Sequence, residues 1–414
     1  MIKSIVSTFF LSFILLAGSA QNRTLDYFLK LANQNSPLLK EYQNKLESNR
    51  IDSLRLRAGL GTQVNAVSNN SYAPVIKGVG QDEAITNGAN IFAALSVSKE
   101  VISAGNLQNQ LHTVELQKSS ILNPAKISEQ DLKRNVTDQY IAVFGLLQQV
   151  NFYGELLNLM RKEEILFKKL TSTGVYKQTD FLTFEVLIQQ QELQLVQVRN
   201  QYRNGFRSLN YLCGEVDSTV FLLYDPALTL EKLPELQHSI FYQQFVIDSL
   251  SLSTARKQID FNYQPKLNLF GDVSYNSSLV YQPWKNFGPN FGLNLSIPIY
   301  DGRQKKMQHD QIALSEQTRR TYSEFFAKQY RQQINQLLLQ LSDNQKYKMN
   351  IDKQIAYSQA LVEANGKLFQ TGEVNVTEYF IAISSLLTSR NLLIQNRLEN
   401  YQLINQLNYW CREK

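Results

Sequence analysis

The sequence predicts an α+β protein built from a duplicated unit, in which long α-helices are combined with a β-hairpin. Three observations predict it. The sequence around Gly174 is repeated around Gly372, at a separation of 372 − 174 = 198 residues. Apolar residues recur from Leu132 at alternating spacings of four and three, which is typical of packed helices. Residues alternate with a period of two over 267–275 and 291–299, with apolar side chains at most odd-numbered positions, which is typical of strands.

Composition excludes several classes of protein. The chain has 414 residues, of which 43% are hydrophobic and 19% are charged. No run after residue 20 approaches the roughly 18–20 apolar residues of a membrane-spanning helix, so a multi-span helical membrane protein is excluded. The net charge of +6 is not gathered into a basic stripe, and therefore no nucleic-acid partner is predicted.

Residues 1–20 have the pattern of a secretory signal peptide. Lys3 precedes an apolar run over 5–16, and the small residues of Gly18-Ser19-Ala20 follow it. We therefore expect export and cleavage before Gln21. The exported chain has two cysteines, too few for a disulfide-based fold.

The repeat predicts how the exported chain is organised. It extends without a gap from the Gly174 and Gly372 turns to Cys213 and Cys411. Because these cysteines occupy equivalent positions in two units, a disulfide between them is not expected. The predicted parts are a first repeat over 21–213, a connector over 214–238 and a second repeat over 239–414.

Each predicted repeat contains an unusually long helix. In the first repeat no helix-breaking proline follows Pro124 before Pro226, and the apolar spacing supports a helix from about Gly105 to Thr171. At 1.5 Å per residue such a helix is about 100 Å long, longer than a compact domain is wide. We therefore expect an elongated helical assembly.

Each predicted repeat also contains a β-hairpin, over about 59–101 and about 266–300. Nine-residue runs with a period of two fit transmembrane β-strands of roughly 9–11 residues. The second hairpin loop carries Tyr281, Trp284 and Phe287, aromatic residues of the kind found at membrane interfaces. Alternation alone fits a soluble hairpin with one wet face equally well, so both alternatives stay open here.

No catalytic or cofactor site is predicted. His112, His238 and His309 are scattered and have no metal-binding spacing. The sequence contains no glycine-rich phosphate loop, nucleophile elbow or Cys–His pair. We therefore expect neither a metal nor another cofactor, and not an enzyme.

In its order of motifs the chain resembles the TolC-like outer-membrane efflux family. The resemblance rests on Asn35-Ser36-Pro37, on the segment from Leu295 to Arg303, and on two Gly-x5-acidic-aromatic turns within the duplicated plan. It implies a trimer in which each chain gives four strands to one outer-membrane β-barrel, continued by an α-helical barrel in the periplasm. The implied partners are two further chains, a periplasmic adaptor protein, an inner-membrane pump and outer-membrane lipid.

The resemblance also implies roles for particular residues. The turns around Gly174 and Gly372, called the tip turns below, would form the periplasmic end and dock the adaptor together with Thr179 and Thr377. Asp180, Glu378 and Phe369 would be gate residues, the two acids forming a ring of six carboxylates in a trimer. The remaining candidates lie at strand–helix junctions: Pro265, Pro298, Gly105 and Gly302.

Simple helix capping is the alternative for the two acids. Thr179 and Thr377 can cap the helices that follow the turns, and Asp180 and Glu378 would lie in the first helical turn. Val374 stands where a basic gate residue can occur in the family, which implies a less ionic closing network.

The function that the resemblance implies is a passive trimeric exit channel of a tripartite efflux or type I secretion system. The alternative is a secreted or surface-attached helical and β-stranded binding protein without channel activity. An exported hydrolase has only the aromatic content in its favour. Neither the transported substrate nor the class of pump can be read from the sequence.

Overall fold

The computed structural model describes residues 23–80, 88–217, 219–279 and 282–412. The predicted signal peptide and Tyr281 lie outside these residues. The described chain forms α1 (Leu25–Asn35), α2 (Pro37–Gly59), β1 (Gln63–Ala73), β2 (Gly88–Val101), α3 (Ala104–Ser172), α4 (Gln178–Leu212), α5 (Ile240–Asn262), β3 (Lys266–Ser277), β4 (Phe287–Ser296), α6 (Gln304–Thr371) and α7 (Val376–Tyr409).

The long helices are present at the predicted places. α3 has 69 residues and begins and ends within one residue of the predicted limits. It contains Pro124 without interruption. α6 has 68 residues and is its counterpart in the second repeat. In the part of the chain that the structure describes, no helix combines the length and the apolar content needed to cross a bilayer.

The four strands form one antiparallel sheet in the order β1-β2-β3-β4. The β1–β2 and β3–β4 pairs are the two predicted hairpins. The hairpins are joined by β2 and β3, which pair from Ile91↔Ser277 to Val101↔Leu267. The alternating pattern predicted each hairpin, whereas a sheet that unites them followed only from the resemblance.

The chain divides into two compact units, and neither coincides with a predicted repeat. The first contains α1, Leu132–Thr229 and Leu341–Asn405, and the second contains Pro37–Asp131, Leu230–Gln340 and the C-terminal residues from Gln406. Each unit therefore takes segments from both repeats, because α3 and α6 contribute to both. The predicted limits of the two sequence repeats, 21–213 and 239–414, stay a prediction.

The first unit has two apolar cores. In one, Phe28 of α1 packs edge-on against Tyr140 and Phe206. The hydroxyl of Tyr140 donates to the carbonyl oxygen of Tyr224 at 2.7 Å, which holds the connector against this core. Cys213 is buried in the same core as a free thiol. The other core lies next to the tip turns and is described below.

Polar contacts fix helix pairs in both units. In the first unit Asn344 and Asn396 each donate a side-chain hydrogen bond to the other's backbone carbonyl, at 3.2 and 3.0 Å. In the second unit Asn109 of α3 donates to the carbonyl oxygen of Thr254 in α5 at 3.2 Å. Buried amides of this kind are satisfied at one helix register only, and therefore specify it.

Candidate functional site

The sheet has a mainly apolar and a mainly polar face, because the register places residues of the same kind opposite each other at most positions. The exceptions are Ser68, Asn70, Lys99 and Ser277 on the apolar face, and Val67, Phe92, Ala94 and Phe270 on the polar face. Side chains that alternate along a strand point to opposite faces. The apolar face is made by Val64, Ala66, Ile91, Ala93, Leu95, Val97, Val101, Leu267, Leu269, Val273, Tyr275, Phe287, Phe291, Leu293 and Leu295. The polar face includes Gln63, Asn65, Asn69, Ser96, Ser98, Asn268, Asp272, Ser274, Asn290 and Asn294.

The apolar face is exposed. Phe291 is 84% exposed, Leu293 67% and Leu95 56%. On β2 the polar side chains of Ser96 and Ser98 are partly covered instead. A soluble sheet with one wet face would have the opposite arrangement, with its apolar side chains packed on a core. This sheet therefore leaves a largely apolar face uncovered, which marks a contact with lipid or with another protein.

The predicted junction residues border this sheet. Pro265 immediately precedes β3 and Pro298 follows β4 by two residues, so neither proline removes a donor from inside a strand. Gly302 adopts a left-handed backbone with φ +66° just before α6. Gly105 is the second residue of α3 and lies against the ring of Phe261.

The two tip turns contact each other in the first unit. Gly174 and Gly372 both adopt left-handed backbones, with φ +80° and +78°, which residues with a side chain resist. A Cβ atom on Gly372 would lie 2.8 Å from Cγ1 of Val175 in the other turn. Glycine at position 372 is therefore needed both for backbone conformation and for space.

An aromatic cluster fills the space behind the tip turns. The ring of Phe369 stacks between Tyr176 and Tyr379, at centroid distances of 4.9 and 5.1 Å, and Phe167 packs edge-on against Phe369. Phe369 is 1% exposed. Burial raises the pKa of Tyr176, as does the nearby charge of Asp180. Tyr176 therefore stays protonated and can donate a hydrogen bond at any physiological pH.

The two acidic residues of the tip turns are both helix-terminal acceptors. The carboxylate of Asp180 accepts from the backbone N–H of Lys177 at 3.1 Å. Glu378 accepts from the side-chain amide of Asn375 at 2.9 Å. Asn375 in turn accepts from the backbone N–H of Glu378 at 2.9 Å. These contacts stabilise the starts of α4 and α7.

The prediction that Thr179 and Thr377 cap these helices is wrong. Each is the second residue of its helix, since α4 begins at Gln178 and α7 at Val376. The residues just before the two helices are Lys177 and Asn375. Of these two, only Asn375 has a side chain that can accept a hydrogen bond and so cap its helix. Thr377 lies with Asp180 in a groove of about 340 Å³ between α4 and α7. Its other lining residues are Thr183, Leu187, Val376, Phe380, Ile381 and Ser384.

A second charged cluster lies further along α3 and α4. Arg161 bonds Glu164 at 2.7 Å and also pairs with Glu192. The pairing with Arg161 lowers the pKa of Glu164. Burial, followed by a hydrogen bond to Glu164, raises the pKa of Glu185. The Oε1 atom of Glu185 is buried without a hydrogen-bond partner among the described residues.

Solved structures resemble this chain over nearly its whole length. The chain matches CusC with a TM-score of 0.78 at 15% identity, covering 94% of this chain and 92% of CusC. The outer membrane protein VceC of Vibrio cholerae matches with a TM-score of 0.75 at 12% identity, over 94% and 96%. The open state of the MtrE outer membrane channel of Neisseria gonorrhoeae matches with a TM-score of 0.74 at 15% identity, over 94% and 88%. No family model and no curated protein sequence matches the chain.

The chain has the fold of the TolC-like outer-membrane channels. The resemblance inferred from the sequence is thereby confirmed at the level of the fold. In this TolC-like fold the predicted tip residues Gly174, Gly372, Asp180, Glu378 and Phe369 come together in one region. The junction residues lie at the sheet. A gate role for Asp180, Glu378 or Phe369 stays a prediction.

One central residue of the tip, Tyr176, is missing from the predicted set. Its hydroxyl lies 2.8 Å from the carbonyl oxygen of Phe369 and 2.9 Å from that of Val374. Tyr176 and Val374 are equivalent positions of the two repeats, 198 residues apart (374 − 176). The difference between tyrosine and valine within the duplicated turn is the signal that could have identified it.

Proposed function

We propose that this protein is a passive exit channel of the outer membrane, in which three chains close one β-barrel and extend their helices into the periplasm. The observation that carries the proposal is the exposed apolar face of a four-stranded sheet in a TolC-like fold. Four strands leave two unpaired edges, which three chains satisfy by pairing β1 of one with β4 of the next.

The dimensions of the apolar face support a membrane location. From Leu267 to Tyr275 the strand advances by eight residues, about 26 Å along its axis at ~3.3 Å per residue. With a tilt of roughly 40° the apolar band is about 20 Å high, close to the ~25 Å of outer-membrane barrels. Tyr275 and its cross-strand partner Phe287 end the band on the side of the hairpin loops, where barrels carry aromatic residues.

The tip turns supply the surface for the partners of this channel. The groove between α4 and α7 is lined by the partly buried Leu187 and the exposed Ile381, beside the hydroxyls of Thr183 and Thr377. Such a mixed groove fits the apolar stripe of a helix from another protein. We assign it to a periplasmic adaptor, which would connect the channel to an inner-membrane pump of a tripartite efflux or type I secretion system. The chain itself would carry no catalytic step.

The proposal is tested by fractionation and by electrical recording. The protein is expressed with its N-terminal segment, extracted from the outer membrane in detergent, crosslinked and added to planar bilayers. The expected result is a trimer with discrete conductance steps. A soluble monomer that conducts no current would contradict the proposal and would favour a secreted or surface-attached binding protein.

A further inference from the structure

One charged side chain interrupts the apolar face of the sheet. Lys99 of β2 lies opposite Leu269 of β3, and its neighbours on the same face of β2 are Val97 and Val101. Within the four described strands, every other residue of this face is uncharged. Lys99 is exposed.

Among the described residues, Lys99 has no counter-ion. The adjacent acid, Glu100, points to the polar face because it is the next residue along the strand. No ion pair among the described residues includes Lys99. An ammonium group on a surface that contacts lipid is costly unless it reaches the interface or meets an anion.

The position of Lys99 along the strand places it at the interface. β2 ends two residues later at Val101, and α3 begins at Ala104. The helices that adjoin this end of the sheet extend into the periplasm in the proposed channel. Lys99 therefore lies level with the periplasmic leaflet, whose lipids are glycerophospholipids and not lipid A. Its four-carbon side chain can lie along Val101 and lift the ammonium toward the headgroups.

We propose that Lys99 binds the phosphate of an anionic glycerophospholipid, so that three such sites in a trimer fix the depth of the barrel in the membrane. This inference rests on the proposed channel function. A lysine near an anionic membrane surface is worth about fivefold in affinity. The ligand is the phosphodiester of a lipid such as phosphatidylglycerol, held by one ammonium group on an apolar surface that accepts its acyl chains.

The experiment measures which lipids the trimer retains. Wild-type protein is reconstituted in nanodiscs of phosphatidylcholine mixed with phosphatidylglycerol or with lipid A, and retained lipids are counted by native mass spectrometry. The variants are Lys99→Gln, Lys99→Arg, and Lys266→Gln as a control on the polar face of the neighbouring strand. Retention of phosphatidylglycerol is expected to fall about fivefold in Lys99→Gln and to stay at the wild-type level in the other two.

Three results would overturn the inference. These are equal retention of phosphatidylglycerol by wild type and Lys99→Gln, an equal loss in Lys266→Gln, or a preference for lipid A, which would place Lys99 in the other leaflet. A wild-type protein that conducts in bilayers but shows one of these results contradicts the lipid site alone. Failure of the wild-type protein to enter nanodiscs or to conduct current would contradict both the proposed channel function and the lipid site.

Discussion

The hydroxyl of Tyr176 lies 2.8 Å from the carbonyl oxygen of Phe369, so a residue of the first tip turn is bonded to the helix end that precedes the second. The same hydroxyl is 2.9 Å from the carbonyl oxygen of Val374. Phe369 lies in the last turn of α6, and Val374 lies in the tip turn that follows it. Tyr176 therefore ties together two helical hairpins that are nearly 200 residues apart in the sequence.

Tyr176→Phe is expected to loosen the contact between the tip turns while keeping the aromatic cluster. The ring still stacks on Phe369, but the hydroxyl bonds are lost, at a cost of about 1 kcal/mol. Hydrogen exchange should speed up at residues 372–375 and stay unchanged in the sheet. The control is Tyr357→Phe, since Tyr357 is 79% exposed. Identical exchange in wild type and Tyr176→Phe would show that the hydroxyl bonds do not hold the turns.

The gate hypothesis predicts that neutralising the tip acids changes conduction without unfolding the tip. Asp180→Asn and Glu378→Gln keep a side-chain oxygen that can still accept the helix-terminal hydrogen bonds. We expect the double variant to show a higher single-channel conductance and weaker block by Ca²⁺ or Mg²⁺, because a ring of carboxylates attracts cations. Its melting temperature should match wild type within about 2 °C. Unchanged currents and unchanged block would leave both acids with a capping role only.

Two glycines of α3 are expected to respond in opposite ways to alanine. A Cβ atom on Gly145 would overlap Cδ1 of Leu398, whereas a Cβ on Gly154 would meet nothing within 4 Å. Gly145→Ala should therefore lower the free energy of unfolding by about 1–3 kcal/mol through overpacking. Gly154→Ala should raise it by about 0.5–1 kcal/mol, since alanine favours a helix. Chemical denaturation of the trimer in detergent measures both changes.

The Gly145 effect can be assigned by a double-mutant cycle. Leu398→Ala should cost less in the Gly145→Ala background than in wild type, because it makes room for the new methyl group. Additive effects of the two substitutions would show that the close approach of Gly145 and Leu398 is not the cause.

Glu185→Gln is expected to make the stability of the α3–α4 pair less sensitive to alkaline pH. Burial and the hydrogen bond to Glu164 raise the pKa of Glu185, so the folded state favours its protonated form. That contribution to stability is complete below the ordinary glutamate pKa of about 4.3 and is lost as pH rises through the raised value. The variant should therefore melt above wild type at pH 8, and the difference should vanish near pH 4.

Glu363→Gln is the control for this pH dependence. Glu363 is exposed on α6 and takes no part in the charged cluster of α3 and α4, so Glu363→Gln shows what the loss of one surface carboxylate does to the melting temperature at each pH. A difference in melting temperature between Glu185→Gln and wild type that stays constant from pH 4 to pH 8 would contradict a raised pKa for Glu185.

The elements could be predicted because their signals are local. The four-three spacing after Leu132 and the lack of proline beyond Pro124 predicted the long helix α3. Its two ends lie within one residue of the predicted limits. The alternation around Val273 and Leu293 likewise separated the two faces of the sheet. Capping was mispredicted because Thr179 and Thr377 have suitable side chains, but the helices begin two residues earlier than such caps require.

The sequence by itself determined the duplicated plan, the helix and strand positions and which side chains share a face, since periodicity encodes these. Only the tertiary structure decided that the apolar face of the sheet is left exposed, that Phe369 is buried between Tyr176 and Tyr379, and that Lys99 meets no counter-ion among the described residues. These facts depend on contacts between segments far apart in the chain. No local pattern records such contacts, because each partner residue is compatible with many others until the backbone brings them together.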